Sequence, residues 1–154
     1  MRRFNRDPAF TLTRDQCFDR VIELCAKTGR KGQAGTWIGP QVMAAYNALH
    51  RMGHAHSYET WENGELVGGL YGVDLGRVFC GESMFSLRPN ASKFAFMQMV
   101  RELEGKGYRL IDCQVHTEHL ESLGAGLIPR KAFVAFLKGD LGGGEQEKDT
   151  LGQV

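Results

Sequence analysis

The apolar residues of the chain first recur at helical spacing. After Phe18 they return at intervals of three and four residues, and the preceding Thr13-Arg14-Asp15-Gln16 has the pattern of a capping box. The pattern therefore predicts a first helix over residues 13–27. A second helix is expected between Pro40, a residue that favours the first helical position, and Gly53, which favours the end of a helix.

The pattern then becomes extended. One strand is predicted from Ala55 to Trp61 and a second from Glu65 to Val73, and Asn63-Gly64 between them is a strong signal for a tight hairpin. A third strand is predicted from Arg77 to Met84. These three segments indicate an antiparallel meander.

The second half of the chain alternates helix and strand. Asn90 is a favourable N-cap for a helix that is expected to end at Gly105. Residues 108–115 are almost uninterruptedly apolar, which is typical of an interior strand. Short helices are expected near 118–123 and after Pro129. A meander followed by two strands joined by a helix predicts an α/β (α+β) fold, with an acetyltransferase-like mixed sheet flanked by helices.

Composition adds the domain organisation and excludes several classes of protein. The chain has 154 residues, 42% of them hydrophobic, which is enough for one core over 1–138 followed by a flexible polar tail over 139–154. A net charge of +1 gives no global attraction to nucleic acid. No apolar run approaches the roughly 20 residues of a membrane span. Four cysteines outside any CxxC pattern predict no zinc site and no dense disulfide framework, and they favour a cytoplasmic protein.

Polar groups stand inside two segments that otherwise have the character of buried strands. Glu82 lies in the first segment, and Asp112 and Gln114 lie in the second. Because side chains alternate along a strand, Asp112 and Gln114 are expected on one face, where the carboxylate can orient the amide. If the two strands are parallel neighbours, Glu82 lies near this pair. Burying such groups is unfavourable unless they are paired or used, so they indicate either a functional site or a polar network that stiffens the sheet.

The same alternation makes a second prediction for the strand that carries Glu82. Phe79 and Phe85 are expected to share one face of the sheet, opposite the face of Glu82. His54 and His56 are two residues apart, but no third recognisable ligand accompanies them, so no metal site is predicted.

Several short blocks now make the chain recognisable. They are Thr36-Trp37-Ile38, Leu49-His50, Gly53-His54-Ala55-His56-Ser57, Glu65-Leu66-Val67-Gly68-Gly69-Leu70-Tyr71-Gly72, Gly81-Glu82-Ser83-Met84-Phe85-Ser86, Asn90-Ala91-Ser92-Lys93, Leu110-Ile111-Asp112-Cys113-Gln114-Val115, Ser122-Leu123-Gly124-Ala125 and Ile128-Pro129-Arg130. In this order they resemble the leucyl/phenylalanyl-tRNA–protein transferase family over residues 1–138. The family's small N-terminal domain is expected to be absent, because Met1 falls just before the start of the catalytic domain.

The resemblance implies a reaction and assigns roles to residues. Leu or Phe, with Met as a further candidate, would pass from aminoacyl-tRNA to a protein whose first residue is Arg or Lys, creating an N-degron for proteolysis. Asp112 and Gln114 would be the catalytic residues and Glu82 would bind the acceptor. Because an aminoacyl ester is already activated, alignment of the amine and management of protons suffice, and no cofactor or metal is expected.

The resemblance also implies an apolar pocket for the donor side chain and contacts to tRNA. The pocket positions are Trp37, Leu70, Phe79, Ser86, Met99 and Ile111. Arg2, Arg3 and Arg6 are candidates for tRNA phosphate contacts, with a solvated terminus as the alternative. Two other functions stay open: an acyl-CoA N-acetyltransferase and a non-catalytic tRNA or N-degron binding module. The first lacks a Gly-rich turn at Leu87-Arg88-Pro89-Asn90, and the second would not obviously require the Asp and Gln pair.

Overall fold

The fold is a mixed sheet with helices on both faces. The structure, a computed structural model, describes residues 10–28 and 35–139 and the backbone of residues 152 and 153. The strands are β1 (Phe10–Arg14), β2 (Ala55–Glu62), β3 (Glu65–Asp74), β4 (Val78–Ser86), β5 (Leu110–Asp112) and β6 (Gly152–Gln153). The helices are α1 (Phe18–Lys27), α2 (Pro40–Arg51), α3 (Ala91–Gly105), α4 (Glu118–Ser122) and α5 (Arg130–Lys138).

The strands lie in the sheet in chain order, so the topology is simple. Strands β1 to β4 form an antiparallel meander, and β5 pairs with β4 in parallel after the crossover through α3. Strand β6 pairs in parallel with the outer edge of β5. This arrangement confirms the predicted mixed α/β fold. Apart from Gly139 and the backbone of β6, the predicted tail over 139–154 lies outside the described residues.

Two apolar cores lie on opposite faces of the sheet. On one face α3 contributes Ala95, Phe96, Met99 and Leu103 to a core with buried residues of β2, β3, β4 and β5. On the other face α1 packs its buried residues against Tyr71 of β3, and α2 adds partly buried side chains. None of the helices among the described residues is long and apolar enough to cross a membrane.

Local turn chemistry accounts for the hairpin between β2 and β3. Asn63 and Gly64 have φ values of 51° and 81°, which is the backbone conformation that a two-residue turn of type I′ requires. The predicted hairpin is therefore confirmed. The start of α2 at Pro40 is confirmed as well, and the helix ends at Arg51, two residues before Gly53 with its φ of 80°.

The predicted start of the first helix is wrong. Thr13 belongs to β1, and its hydroxyl donates a hydrogen bond of 2.6 Å to the buried carboxylate of Glu59 instead of capping a helix. Asp15 has a φ of 57° and accepts a hydrogen bond of 2.9 Å from the backbone N–H of Ser57. These polar side chains join β1 to β2, and α1 begins only at Phe18.

The predicted strand over 108–115 is present but shorter, and the predicted faces of β4 are wrong. Strand β5 ends at Asp112, and Gln114 has a left-handed backbone with φ of 63°. On β4, Phe79 belongs to the core under α3, whereas Phe85 belongs to the core under α1 and α2. A β-bulge in β4 explains this difference, because one extra residue reverses the alternation of all residues that follow it.

Candidate active site

Glu82 is the extra residue of the bulge in β4. In the pairing of β3 with β4, Tyr71 lies opposite Ser83 and Gly72 lies opposite Gly81, so Glu82 has no paired residue. At the bulge, β4 lies very close to the backbone of Gly72. Only glycine fits there, because a Cβ atom would lie 2.5 Å from the ring of Phe79. The bulge thus places an acidic side chain beside the carboxyl end of β5.

Both carboxylate oxygens of Glu82 accept hydrogen bonds. The Tyr46 hydroxyl of α2 donates to Oε2 at 2.8 Å, and the Gln114 side-chain amide donates to Oε1 at 2.9 Å. The structure therefore brings Glu82 and Gln114 together, as the sequence predicted. Tyr46 was not singled out from the sequence, although a tyrosine hydroxyl on an otherwise apolar helix face is a signal that this position needs a polar partner.

The prediction that the Asp112 carboxylate orients the side-chain amide of Gln114 is wrong. Its Oδ1 accepts a hydrogen bond of 2.8 Å from the backbone N–H of Gln114, so it stabilises the turn after β5. The side-chain amide of Gln114 points to Glu82 and to the backbone carbonyl of Gly81. Asp112 consequently positions the main chain of Gln114, while Glu82 orients its amide.

A cleft of about 430 Å³, part of it open to solvent, lies beside these polar groups. One wall is apolar and consists of Leu70, Met84, Phe96, Met99 and Leu120. The other wall includes Tyr71 and Glu82. Because Leu70 and Tyr71 belong to the cores on opposite faces, the cleft is lined by residues of both cores, next to the part of β4 that β5 does not pair with.

The six predicted pocket residues occupy three kinds of position. Leu70 and Met99 line the cleft, and Phe79 and Ile111 are buried in the same core behind it. Trp37 is 56% exposed and packs edge-on against Tyr46 at 6.3 Å, outside the lining of the cleft. Ser86 lies at the end of β4, where its hydroxyl donates a hydrogen bond of 2.7 Å to the backbone carbonyl of Arg88. Sequence reasoning missed several residues that line the cleft, among them Met84, Phe96 and Leu120 of the apolar wall and Tyr71, Cys113 and Val115.

Burial and the carboxylates of the site raise the pKa values of neighbouring side chains. Burial raises the pKa of the Cys80 thiol to about 11, with Asp112 and Glu82 adding to the effect. Burial and the Glu82 carboxylate raise the pKa of the Tyr46 hydroxyl well above its usual range. Tyr46 therefore stays protonated near neutral pH and acts as a hydrogen-bond donor to Glu82.

The remaining predicted features are the histidine pair, which does not line this cleft, and the tRNA contacts. His56 lies between two carboxylates, with Nδ1 at 2.7 Å from Asp15 and Nε2 at 3.6 Å from Asp74, while His54 is exposed. In the part of the chain that the structure describes, neither this group nor any other set of three His, Cys, Asp or Glu side chains is arranged so that it could hold a metal ion. The predicted tRNA contacts Arg2, Arg3 and Arg6 lie outside the described residues.

Comparisons with known proteins identify the family of the chain. The family model described as leucyl/phenylalanyl-tRNA protein transferase matches residues 1–138. A leucyl/phenylalanyl-tRNA–protein transferase of Chromobacterium violaceum is 60% identical over 124 residues, which are 80% of this chain and 53% of that protein. The transferase of Cupriavidus metallidurans is 53% identical over 138 residues, 90% of this chain and 55% of the relative. The chain thus spans about half the length of the curated relatives it matches.

A solved structure supports the predicted type of fold. A predicted acetyltransferase with acetyl-CoA from Clostridium acetobutylicum superimposes with a TM-score of 0.54 over 90% of this chain and 92% of that chain, at 9% identity. At this identity the likeness shows the fold alone, and it confirms the acetyltransferase-like sheet. The match of the family model over residues 1–138 shows that the chain belongs to the leucyl/phenylalanyl-tRNA–protein transferase family.

Proposed function

We propose that this chain transfers Leu or Phe from aminoacyl-tRNA to the amino terminus of a protein that begins with Arg or Lys. The observation that carries the proposal is the hydrogen bond of 2.9 Å between Glu82 and Gln114 at the edge of an apolar cleft. A carboxylate, an oriented amide and an apolar wall in one place suit a reaction that joins an amine to an amino acid with an apolar side chain. The names of the relatives support the same reaction.

The apolar wall of the cleft is suited to the donor side chain. Leu70 and Met99 are 3% and 1% exposed, so this wall is held firmly by the core under α3. Met84 and Met99 are unbranched and adaptable, and Phe96 adds an aromatic surface, so Leu and Phe can both be accommodated. Met is a further candidate donor for the same reason.

The polar wall is suited to the acceptor. Glu82 supplies a negative charge that would pair with the basic side chain of an N-terminal Arg or Lys. The Gln114 amide donates its N–H to Glu82, and the carbonyl oxygen of the same planar group can then accept a hydrogen bond from the attacking α-amine. Such a contact orients the lone pair of the amine and stabilises the positive charge that develops on its nitrogen.

The reaction is an aminolysis of an ester. The neutral α-amine attacks the ester carbonyl carbon, a C–N bond forms, and the C–O bond to the terminal ribose of the tRNA breaks. The ribose oxygen receives the proton that the amine loses. The reference pKa of an α-amine is about 7.7 to 8.0, so a useful fraction is neutral near pH 7, and alignment is the main task of the protein.

The wider setting of the proposal follows from the family. Aminoacyl-tRNA is a cytoplasmic substrate, and the product would carry an N-degron for proteolysis. Arg2, Arg3 and Arg6 remain predicted contacts to tRNA phosphates, which would make binding sensitive to salt.

The test is transfer of radiolabelled Leu and Phe from charged tRNA to three peptides that differ only in their first residue. Transfer to Arg-first and Lys-first peptides, with little transfer to an Ala-first peptide, is the expected result. Equal transfer to all three would contradict the role of Glu82. Binding of charged tRNA without transfer to any peptide would instead identify a non-catalytic binding module.

A further inference from the structure

The hydroxyl of Tyr71 is buried at the candidate active site without a hydrogen-bond partner. Tyr71 is 0% exposed, and its hydroxyl oxygen makes no hydrogen bond within the described residues. A buried polar group without a partner is unfavourable, and such groups in folded proteins usually meet a water or a ligand. The hydroxyl therefore indicates a contact that forms when something enters the cleft.

The position of Tyr71 favours a ligand that binds at the wall of the cleft formed by Tyr71 and Glu82. Tyr71 lines the cleft, and its side chain belongs to the core on the face of the sheet that carries α1 and α2. It packs edge-on against Tyr46 with ring centroids 5.2 Å apart, and the hydroxyl of Tyr46 is bonded to Glu82. Its backbone lies next to the bulge from which Glu82 projects.

The surroundings of Tyr71 also select the charge of the ligand. Burial raises the pKa of this hydroxyl, and the neighbouring Cys25, Tyr46 and Glu82 oppose its ionisation further. The phenol thus stays neutral, and its oxygen can accept a hydrogen bond. Glu82 already accepts one hydrogen bond on each oxygen, so an entering cation gains by finding a second acceptor nearby.

We propose that the Tyr71 hydroxyl oxygen accepts a hydrogen bond from the cationic first side chain of the acceptor protein, beside the charge of Glu82. Tyr71 is then a binding residue that contributes to the selection of Arg and Lys. This inference rests on the proposed function, because it assigns the polar wall of the same cleft to the acceptor. A guanidinium, with five N–H donors, can reach a carboxylate and a phenol at the same time.

The chain offers a matched control for the test. Tyr58 is also 0% exposed and its hydroxyl also lacks a partner among the described residues, but Tyr58 lies in the core under α3 and does not line the cleft. Tyr71→Phe and Tyr58→Phe each remove one buried hydroxyl and keep the aromatic ring. Any effect of removing such a hydroxyl on the fold is therefore common to both variants.

The experiment measures the KM for an Arg-first peptide and for charged tRNA in wild type and in both variants. Tyr71→Phe is expected to raise the KM for the peptide about tenfold or more, the size expected for a hydrogen bond to a charged group, and to leave the KM for charged tRNA unchanged. Tyr58→Phe is expected to leave both values unchanged. Equal peptide KM values for the two variants would overturn the proposal. A parallel rise of both KM values with a lower melting temperature in Tyr71→Phe would overturn it as well, because it would indicate a purely structural role.

Calorimetric titration of the Arg-first peptide separates this inference from the proposed reaction. If the wild type binds the peptide but transfers nothing to it, the proposed transfer fails, and weaker binding by Tyr71→Phe still supports the contact. If Tyr71→Phe binds the peptide as tightly as the wild type, the contact does not exist, whatever the outcome of the transfer assay.

Discussion

The turn after β5 gives a sharp prediction about Asp112. Its Oδ1 accepts the backbone N–H of Gln114 at 2.8 Å, and Gln114 holds a left-handed φ of 63°. Replacement by Ala removes the acceptor, whereas replacement by Asn removes the charge and keeps an oxygen in the same place. The two variants therefore separate positioning of Gln114 from a direct use of the Asp112 charge.

The magnitude follows from the two contributions to this turn. A left-handed backbone is unfavourable by roughly 1–2 kcal/mol for a residue other than Gly, and a hydrogen bond to a charged group contributes about 1.5–3 kcal/mol. Without the bond, Gln114 relaxes to a right-handed or extended backbone and its amide leaves Glu82. Asp112→Ala should consequently lower the transfer rate about tenfold to a hundredfold. Asp112→Asn, which keeps a neutral hydrogen bond, should lose only about threefold to tenfold.

The assay is transfer of Leu to an Arg-first peptide at saturating charged tRNA, with circular dichroism to establish that each variant is folded. A rate for Asp112→Asn well above that for Asp112→Ala supports positioning through the main chain. Equal losses in both variants would refute this reasoning and would show that the carboxylate charge itself acts on the reacting amine.

Three further predictions concern selectivity, packing and pH. Glu82→Gln should reduce the preference for an Arg-first over an Ala-first peptide at least about tenfold, as measured by the ratio of their kcat/KM values. An unchanged ratio would show that Glu82 does not select the acceptor. Gly72→Ala should lower the free energy of unfolding, measured in urea, by about 1–3 kcal/mol or more, because the added methyl group would overlap β4. Gly105 has open space around it, so Gly105→Ala should be neutral or stabilising. For Asp15, burial alone would raise the pKa, but hydrogen bonds from His56 and from a backbone N–H outweigh burial and lower it. This carboxylate therefore stabilises the fold above its unfolded pKa and loses that contribution as the pH falls through its lower folded value. The stability difference between wild type and Asp15→Asn should shrink as the pH falls below about 5, and a constant difference would contradict this assignment.

Features set by local sequence could be predicted, and features set by distant pairing could not. The hairpin at Asn63-Gly64 and the helix start at Pro40 depend on the backbone preferences of those residues, so they followed from the sequence. Thr13 had the local pattern of a helix N-cap, but in the sheet its hydroxyl donates a hydrogen bond to the buried carboxylate of Glu59, 46 residues away. Local pattern gave no sign of this contact.

The site shows the same division. The residue types of Glu82, Asp112 and Gln114 revealed that the segments carry polar chemistry, and the structure brings Glu82 and Gln114 together. The bulge that holds Glu82 depends on how β3 pairs with β4. The alternation of side chains along a single strand gives no information about this pairing. The left-handed Gln114 is an exception, because its cause is local: the Asp112 carboxylate two residues earlier accepts its backbone N–H, and the interpretation of 108–115 as one apolar strand concealed this turn.

The position of the cleft between the two cores has a kinetic consequence. Its apolar wall belongs to the core on one face and Tyr71 to the core on the other. For the proposed reaction, the donor side chain and the acceptor can therefore occupy the two walls at the same time, and neither substrate needs to leave before the other enters. We expect initial-rate plots against the two substrates to intersect, as for a ternary complex, and the discharged tRNA and the lengthened peptide to depart independently.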